Sequence, residues 1–195
     1  MTVGVVLLAA GGSSRLGRPK QLVVHHGKTL VRRAAEAAIA AECGPVVVVL
    51  GAHHEAVAAE LLGLPVHVVE HAEWAAGPGG SLVAGVRALT RMSEAPSVDA
   101  VLVMLCDQLR VDAAHLKALV ETWRRTGAAV VASTYDGTRG VPALFSRAVF
   151  PELEALRPEQ GARGVIAREP SRVAEVSLAG GGEDVDTVAD LERLK

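Results

Sequence analysis

Short valine-rich apolar runs alternate with stretches of helical periodicity along most of this chain, and that alternation most narrows what it can fold into. Thr2–Ala10, Val46–Gly51, Pro65–Glu70, Asp99–Gln108, Ala128–Ser133 and Arg172–Leu178 read as strands. Several are apolar throughout, as in strands buried on both faces. Between them, Lys28–Cys43, His54–Leu62, Ser81–Met92, Ala148–Leu156 and Gly161–Arg168 read as helices. Another runs from a capping Asp112 through Thr126, and a short one closes the chain within Asp184–Lys195. In the first helix Leu30, Ala34, Ala37, Ala38 and Ala41 share a stripe, and Gly44-Pro45 ends it. Ser81 is a candidate N-cap. Tyr135–Phe145 reads as a turn and a short strand. The expectation is an α/β fold: a mostly parallel sheet, right-handed crossovers and helices on both faces. Residues 1–195 read as a single domain, with no linker or repeat.

Composition fits this layout and excludes others. Half of the 195 residues are hydrophobic but only 3% are aromatic, so Val, Leu and Ala must build the core. A formal net charge of −2 argues against a general nucleic-acid binder. The two cysteines, Cys43 and Cys106, have no CxxC spacing, which fits a reducing cytoplasm better than a disulfide framework. No run is long enough to span a bilayer, and the N-terminus lacks a signal-peptide pattern, so no membrane association is expected.

In sheets of this kind, ligands bind beyond the carboxyl ends of the strands. The first strand ends in Gly11, Gly12, Ser13, Ser14, Arg15, Gly17 and Lys20, within "LLAAGGSSRLGRPKQL" (Leu7–Leu22). Glycines let backbone N–H groups approach an anion, and Arg15 and Lys20 add charge suited to a polyphosphate. A P-loop would need Gly-Lys-Ser/Thr, but Arg18-Pro19 follows Gly17. A dinucleotide fingerprint would open directly into a helix, but Pro19-Lys20-Gln21 intervenes. The alternative is a surface loop with solvated charges.

Later strand ends offer carboxylates. Asp107 follows five apolar residues and is either a magnesium ligand or a loop cap. Asp184 and Asp186 share one face of an extended segment, and one of them could complete a metal site with Asp107. Alternatively, Asp186 or Thr187 caps the last helix. The pairs His25-His26 and His53-His54 read as surface residues, and His67 as a packing residue within a strand. Cys106 lacks a basic partner and reads as packing.

Taken in order, these segments resemble the Rossmann-like nucleotidyltransferases acting on molybdenum-cofactor precursors, most of all the cytidylyltransferase branch. "LAAGGSSRLGRPKQL" is similar to the signature LAAGxSxRxGxPKxL, and "GKTLVRRA" (Gly27–Ala34) to the helix start that follows. "EWAAGPGGSLVAGV" (Glu73–Val86) resembles the tryptophan-glycine loop and helix, and Cys106-Asp107-Gln108 the metal-site segment. "GTRGVPALF" (Gly137–Phe145), "QGARGVI" (Gln160–Ile166) and "DVDTVADL" (Asp184–Leu191) resemble the remaining family segments.

The resemblance implies a three-layer nucleotidyltransferase fold and Mg-dependent transfer of CMP from CTP to molybdopterin or molybdenum cofactor, with release of pyrophosphate. Manganese is an alternative ion, and a molybdoenzyme or its chaperone a further partner. It implies that Gly11, Gly12 and Arg15 wrap the phosphates and that Lys20 stabilises charge at the α-phosphate. The backbone of Leu8, Ala9 and Ala10 would read the base, and Gly79, Gly80 and Ser81 would face the nucleotide. Asp107 and Asp186 would hold the metal, while Arg163 and Pro142 would lie on the acceptor side. Ala10 and Pro19-Lys20-Gln21 lean to the cytidylyl over the guanylyl branch. Leu109, Val141, Val188, Pro78-Gly79-Gly80 and "EHAEW" (Glu70–Trp74) depart from the pattern where base and acceptor would bind. Another triphosphate with another small phosphate acceptor, or a non-catalytic nucleotide binder, are the competing expectations.

Overall fold

The structure is a computed structural model that describes residues 1–92 and 97–194. Its centre is a seven-stranded sheet: β1 (Val3–Ala9), β4 (Val46–Leu50), β5 (His67–Glu70), β6 (Ala100–Leu105), β7 (Val130–Tyr135), β8 (Thr138–Ser146) and β9 (Val173–Ser177). The order across the sheet is β5-β4-β1-β6-β8-β7-β9. Only β8 runs against its neighbours; β1, β4, β5 and β6 are mutually parallel, and β7 and β9 pair in parallel. The expected mostly parallel α/β architecture is what forms. The segment read as a turn and short strand is a turn at Asp136-Gly137 followed by a nine-residue strand, β8, paired on both sides.

Side-chain alternation divides the core between two faces. Val3, Val5 and Leu7 point one way, onto α1 (Leu30–Ala40) and α4 (Ala113–Thr126). Val6, Val47 and Val49 point the other way, onto α3 (Pro78–Arg91), α5 (Phe150–Glu154) and α6 (Ala162–Arg168). Because both faces are covered, the central strands are apolar throughout. The remaining helices are α2 (His54–Ala59) and α7 (Val188–Glu192). Lys195 lies outside the described residues.

Three local expectations are corrected. Ser81 does not cap its helix: α3 starts at Pro78 with Gly77 as N-cap, because a proline fits the first helical position, where no N–H is needed. Lys28-Thr29 is not helical but forms β3, which pairs with β2 (Val24–His25) in a small hairpin. His67 is exposed rather than packed, since β5 is the sheet's edge. Asp112 does cap α4, accepting a hydrogen bond from the His115 N–H at 2.8 Å.

Candidate active site

The long loop after β1 is ordered by contacts at both ends and at its tip. Gln21, only 1% exposed, donates through Nε2 to the carbonyls of Ala9 (2.9 Å) and Gly11 (2.8 Å). The Lys20 N–H donates to Ser13 Oγ at 3.0 Å. At the tip, Leu16 is buried with Val23, Leu30 and Val185 in a small cluster of its own. Leu16 and Val185 therefore tie the loop to the Asp184–Asp186 segment across most of the sequence. Replacing Gln21 with leucine strands both carbonyls and is expected to cost about 1–3 kcal/mol. It should also weaken triphosphate binding, as read by thermal melting and calorimetry; unchanged affinity would contradict the clamp.

This tie brings the charges together. Lys20 Nζ lies 2.5 Å from Asp107 Oδ2 and 3.1 Å from Asp186 Oδ1. Arg15 reaches the other Asp186 oxygen, Oδ2, at 3.1 Å. Burial disfavours the Lys20 charge, but the Asp107 and Asp186 carboxylates outweigh it and hold Lys20 protonated, above its usual range. Asp107 sits at the end of β6 and is only 4% exposed, as the sequence position implies. Asp184 is pushed up to about 6 by burial and by repulsion from Asp107 and Asp186, and its Oδ1 is buried without a hydrogen-bond partner. Cys106 is pushed up to about 12, chiefly by burial, so it is a packing residue and not a thiolate.

The N-cap assignment for the C-terminal segment holds for Thr187. Thr187 caps α7 in a capping box with Asp190, and Asp190 also accepts from the Asp186 N–H at 3.0 Å. The Thr187 hydroxyl and these amides hold Asp190 well below the usual carboxylate range. Asp190 and Thr187 therefore satisfy the helix end, which leaves the Asp186 side chain free to face Lys20 and Arg15.

A cavity of about 340 Å³ opens beside this cluster. Leu8, Ala9, Ala10, Gly11, Gly12, Lys20, Ser81 and Asp107 line it. Gly77 and Pro78 line it instead of Gly79 and Gly80. The reason is steric: a Cβ on Gly79 would face the carbonyls of Arg157 and Gln160, and one on Gly80 would face His71. The amino end of α3 reaches the cavity wall through Gly77, Pro78 and Ser81 and has no side-chain cap, while its Gly79 N–H donates to the Pro158 carbonyl.

Trp74, Gln21 and Gln108 lie within motifs read from sequence, but none is given a role of its own there. A Cβ on Gly51 would meet Trp74 Cβ and Cγ at 2.6 Å, and one on Gly12 would meet the ring at 2.8 Å. The indole is thus seated on these glycines, and it lines the cavity. Gln108, 7% exposed, donates to the Val141 carbonyl at 2.8 Å and bridges main chain to main chain with Asp184. It links the Asp107 turn to both β8 and the second carboxylate segment. Pro142 is buried in β8 and does not reach the cavity, because it belongs to the sheet interior. Its carbonyl accepts from Ser133 Oγ at 2.6 Å. Arg163 is exposed on the first turn of α6, and its charge acts on Asp184 and Tyr135.

The donor set fits a divalent ion. Asp107 and Asp186 already converge on one cation, and hard carboxylate oxygens suit magnesium or manganese. Among the described residues no group of three or more His, Cys, Asp or Glu could hold a metal ion. Two carboxylates, with phosphates and water completing the shell, is the usual arrangement for such ions.

A parallel sheet ending in a glycine-rich loop, paired cations and two carboxylates defines an enzyme that handles nucleoside triphosphates. Residues 5–173 match the MobA-like NTP transferase domain, and the chain belongs to that family of nucleotidyltransferases. It is 35% identical to the nicotine blue oxidoreductase of Paenarthrobacter nicotinovorans, over 97% of this chain and 94% of that one. The structure of Rv0371c from Mycobacterium tuberculosis H37Rv is 33% identical, with a TM-score of 0.80 over 100% of this chain and 98% of that one. Rv0371c in complex with manganese is 29% identical, with a TM-score of 0.79 and the same coverage. Among the described residues, no helix is long and apolar enough to cross a membrane.

Proposed function

We propose that this chain, as one domain over residues 1–195, transfers CMP from CTP to molybdopterin or molybdenum cofactor and releases pyrophosphate. The carrying observation is the meeting of Lys20 with Asp107 and Asp186 at the wall of the glycine-loop cavity. A phosphoryl-type transfer asks little covalent chemistry of the protein; it asks for alignment and charge neutralisation. The Gly11 and Gly12 backbone and Arg15 bind the triphosphate, and Lys20 stabilises charge growing at the α-phosphate. The backbone of Leu8–Ala10 reads the base, while Ser81 and the amino end of α3 face the nucleotide. Arg163, exposed on the first turn of α6, meets the acceptor phosphate. Asp107 and Asp186 hold the divalent ion, magnesium or manganese, which when bound neutralises triphosphate charge. Ala10 in the LAAG pattern supports cytosine. Molybdoenzymes or their chaperones are the expected recipients of product, in the cytoplasm.

A second reading starts from the relative named an oxidoreductase: were this chain to share such an activity, a reduced dinucleotide would sit with its pyrophosphate in the cavity, although Pro19-Lys20-Gln21 breaks the dinucleotide fingerprint. Calorimetry separates the two. With manganese present, CTP is expected to bind more tightly than GTP, ATP or UTP, and more tightly than NADH or NADPH. Preference for a reduced dinucleotide would overturn the transferase assignment; preference for GTP would overturn only the base.

A further inference from the structure

We propose that Lys20 is a resident counter-ion that keeps divalent metal off the Asp107–Asp186 pair until a triphosphate arrives, so that metal and nucleotide load together. This rests on reading that pair as the metal ligands. In the structure the pair is already neutralised. Lys20 engages Asp107 Oδ2 and Asp186 Oδ1, and Arg15 engages Asp186 Oδ2. Two carboxylates face two cations, so a metal ion approaching them gains little net attraction and meets an ammonium at ion-pair distance. The other nearby carboxylate, Asp184, does not complete a three-ligand set.

A triphosphate changes this balance. Its oxygens offer Lys20 and Arg15 new partners within the same loop, and they complete the shell of an ion held by the released carboxylates. The exchange needs only side-chain motion. The Lys20 N–H is held by Ser13 Oγ, and the neighbouring Gln21 clamps Ala9 and Gly11, so the backbone can stay in place. The Arg15 side chain is 71% exposed and has room to swing.

Free Mn²⁺, followed by its electron paramagnetic resonance signal, tests this on the full chain. Without nucleotide, Lys20→Met is expected to bind Mn²⁺ at least about ten-fold more tightly than the unsubstituted protein. Adding a non-hydrolysable CTP analogue to the unsubstituted protein should recruit Mn²⁺ beyond what the analogue binds alone. Equal or weaker Mn²⁺ binding by Lys20→Met would overturn the proposal. Lys20→Gln, which keeps an amide donor between the carboxylates, serves if the methionine variant melts below the assay temperature, and the same outcomes apply. Failure of the underlying reading looks different. If Lys20→Met/Asp107→Asn binds Mn²⁺ as tightly as Lys20→Met, the pair is not the metal site.

Discussion

Asp107→Asn is expected to lower metal-dependent pyrophosphate release by about 10²–10³-fold while the protein stays folded. The amide keeps the volume of a side chain that is 4% exposed, so no cavity opens at the end of β6. What it removes is one negative charge from the Lys20–Asp107–Asp186–Arg15 cluster. Lys20 keeps Asp186 at 3.1 Å, so its charge is not left alone. Alanine would be a poorer probe, because truncation there adds a void to the lost charge. The check is a rate measured across magnesium concentrations, together with a melting curve. A variant that turns over normally would refute the metal assignment. A variant that does not fold would mean that Asp107 acts first as a partner for Lys20.

The largest expected loss of stability comes from Gly79→Ala. The first turn of α3 packs directly against the Arg157–Gln160 backbone, and the Gly79 N–H donates to the Pro158 carbonyl at 2.9 Å. A methyl group there would collide with the carbonyl oxygens of Arg157 and Gln160, which belong to backbone and cannot rotate away. The expected cost is about 3 kcal/mol, or a drop of about 6–12 °C in Tm for a domain of this size. The displaced helix end would also shift Pro78 and Ser81 at the cavity wall. Gly164→Ala, in the middle of α6, is the matched control: nothing lies within 4 Å of its added Cβ. It should be neutral or stabilising by up to about 1 kcal/mol. Equal effects at the two positions would contradict the packing described for α3.

The parts of this molecule that repeat a simple period are the parts that can be read from sequence. Val46–Leu50 and Ala100–Leu105 are apolar because helices cover both sheet faces, and such runs announce themselves. Asp107 was legible for the same reason: a carboxylate directly after such a run must sit at the sheet's rim. Boundaries set by single residues were harder. Ser81 looks like a cap, yet Pro78 starts the helix three residues earlier. That places Gly79 and Gly80 against neighbouring backbone and His71 instead of the ligand cavity.

Tertiary pairings leave no local trace. Nothing near Leu16 says that it is buried with Val185, although that contact carries Arg15 and Lys20 to Asp186. Gln21 and Gln108 look like surface residues by type, yet each is buried and donates to a strand carbonyl, Ala9 in β1 and Val141 in β8. The sequence alternatives for the closing motif turned out to be compatible, since Thr187 and Asp190 cap the helix while Asp186 faces the cations.

Label transfer from alpha-labelled CTP, with magnesium and molybdopterin, tests the proposed activity most directly. The expected result is label covalently attached to the pterin, with unlabelled pyrophosphate released in equal amount. Its loss in Asp107→Asn should follow. Recovery of all label as CTP, with NADH or NADPH oxidised in a parallel reaction on a redox-active acceptor, would contradict it.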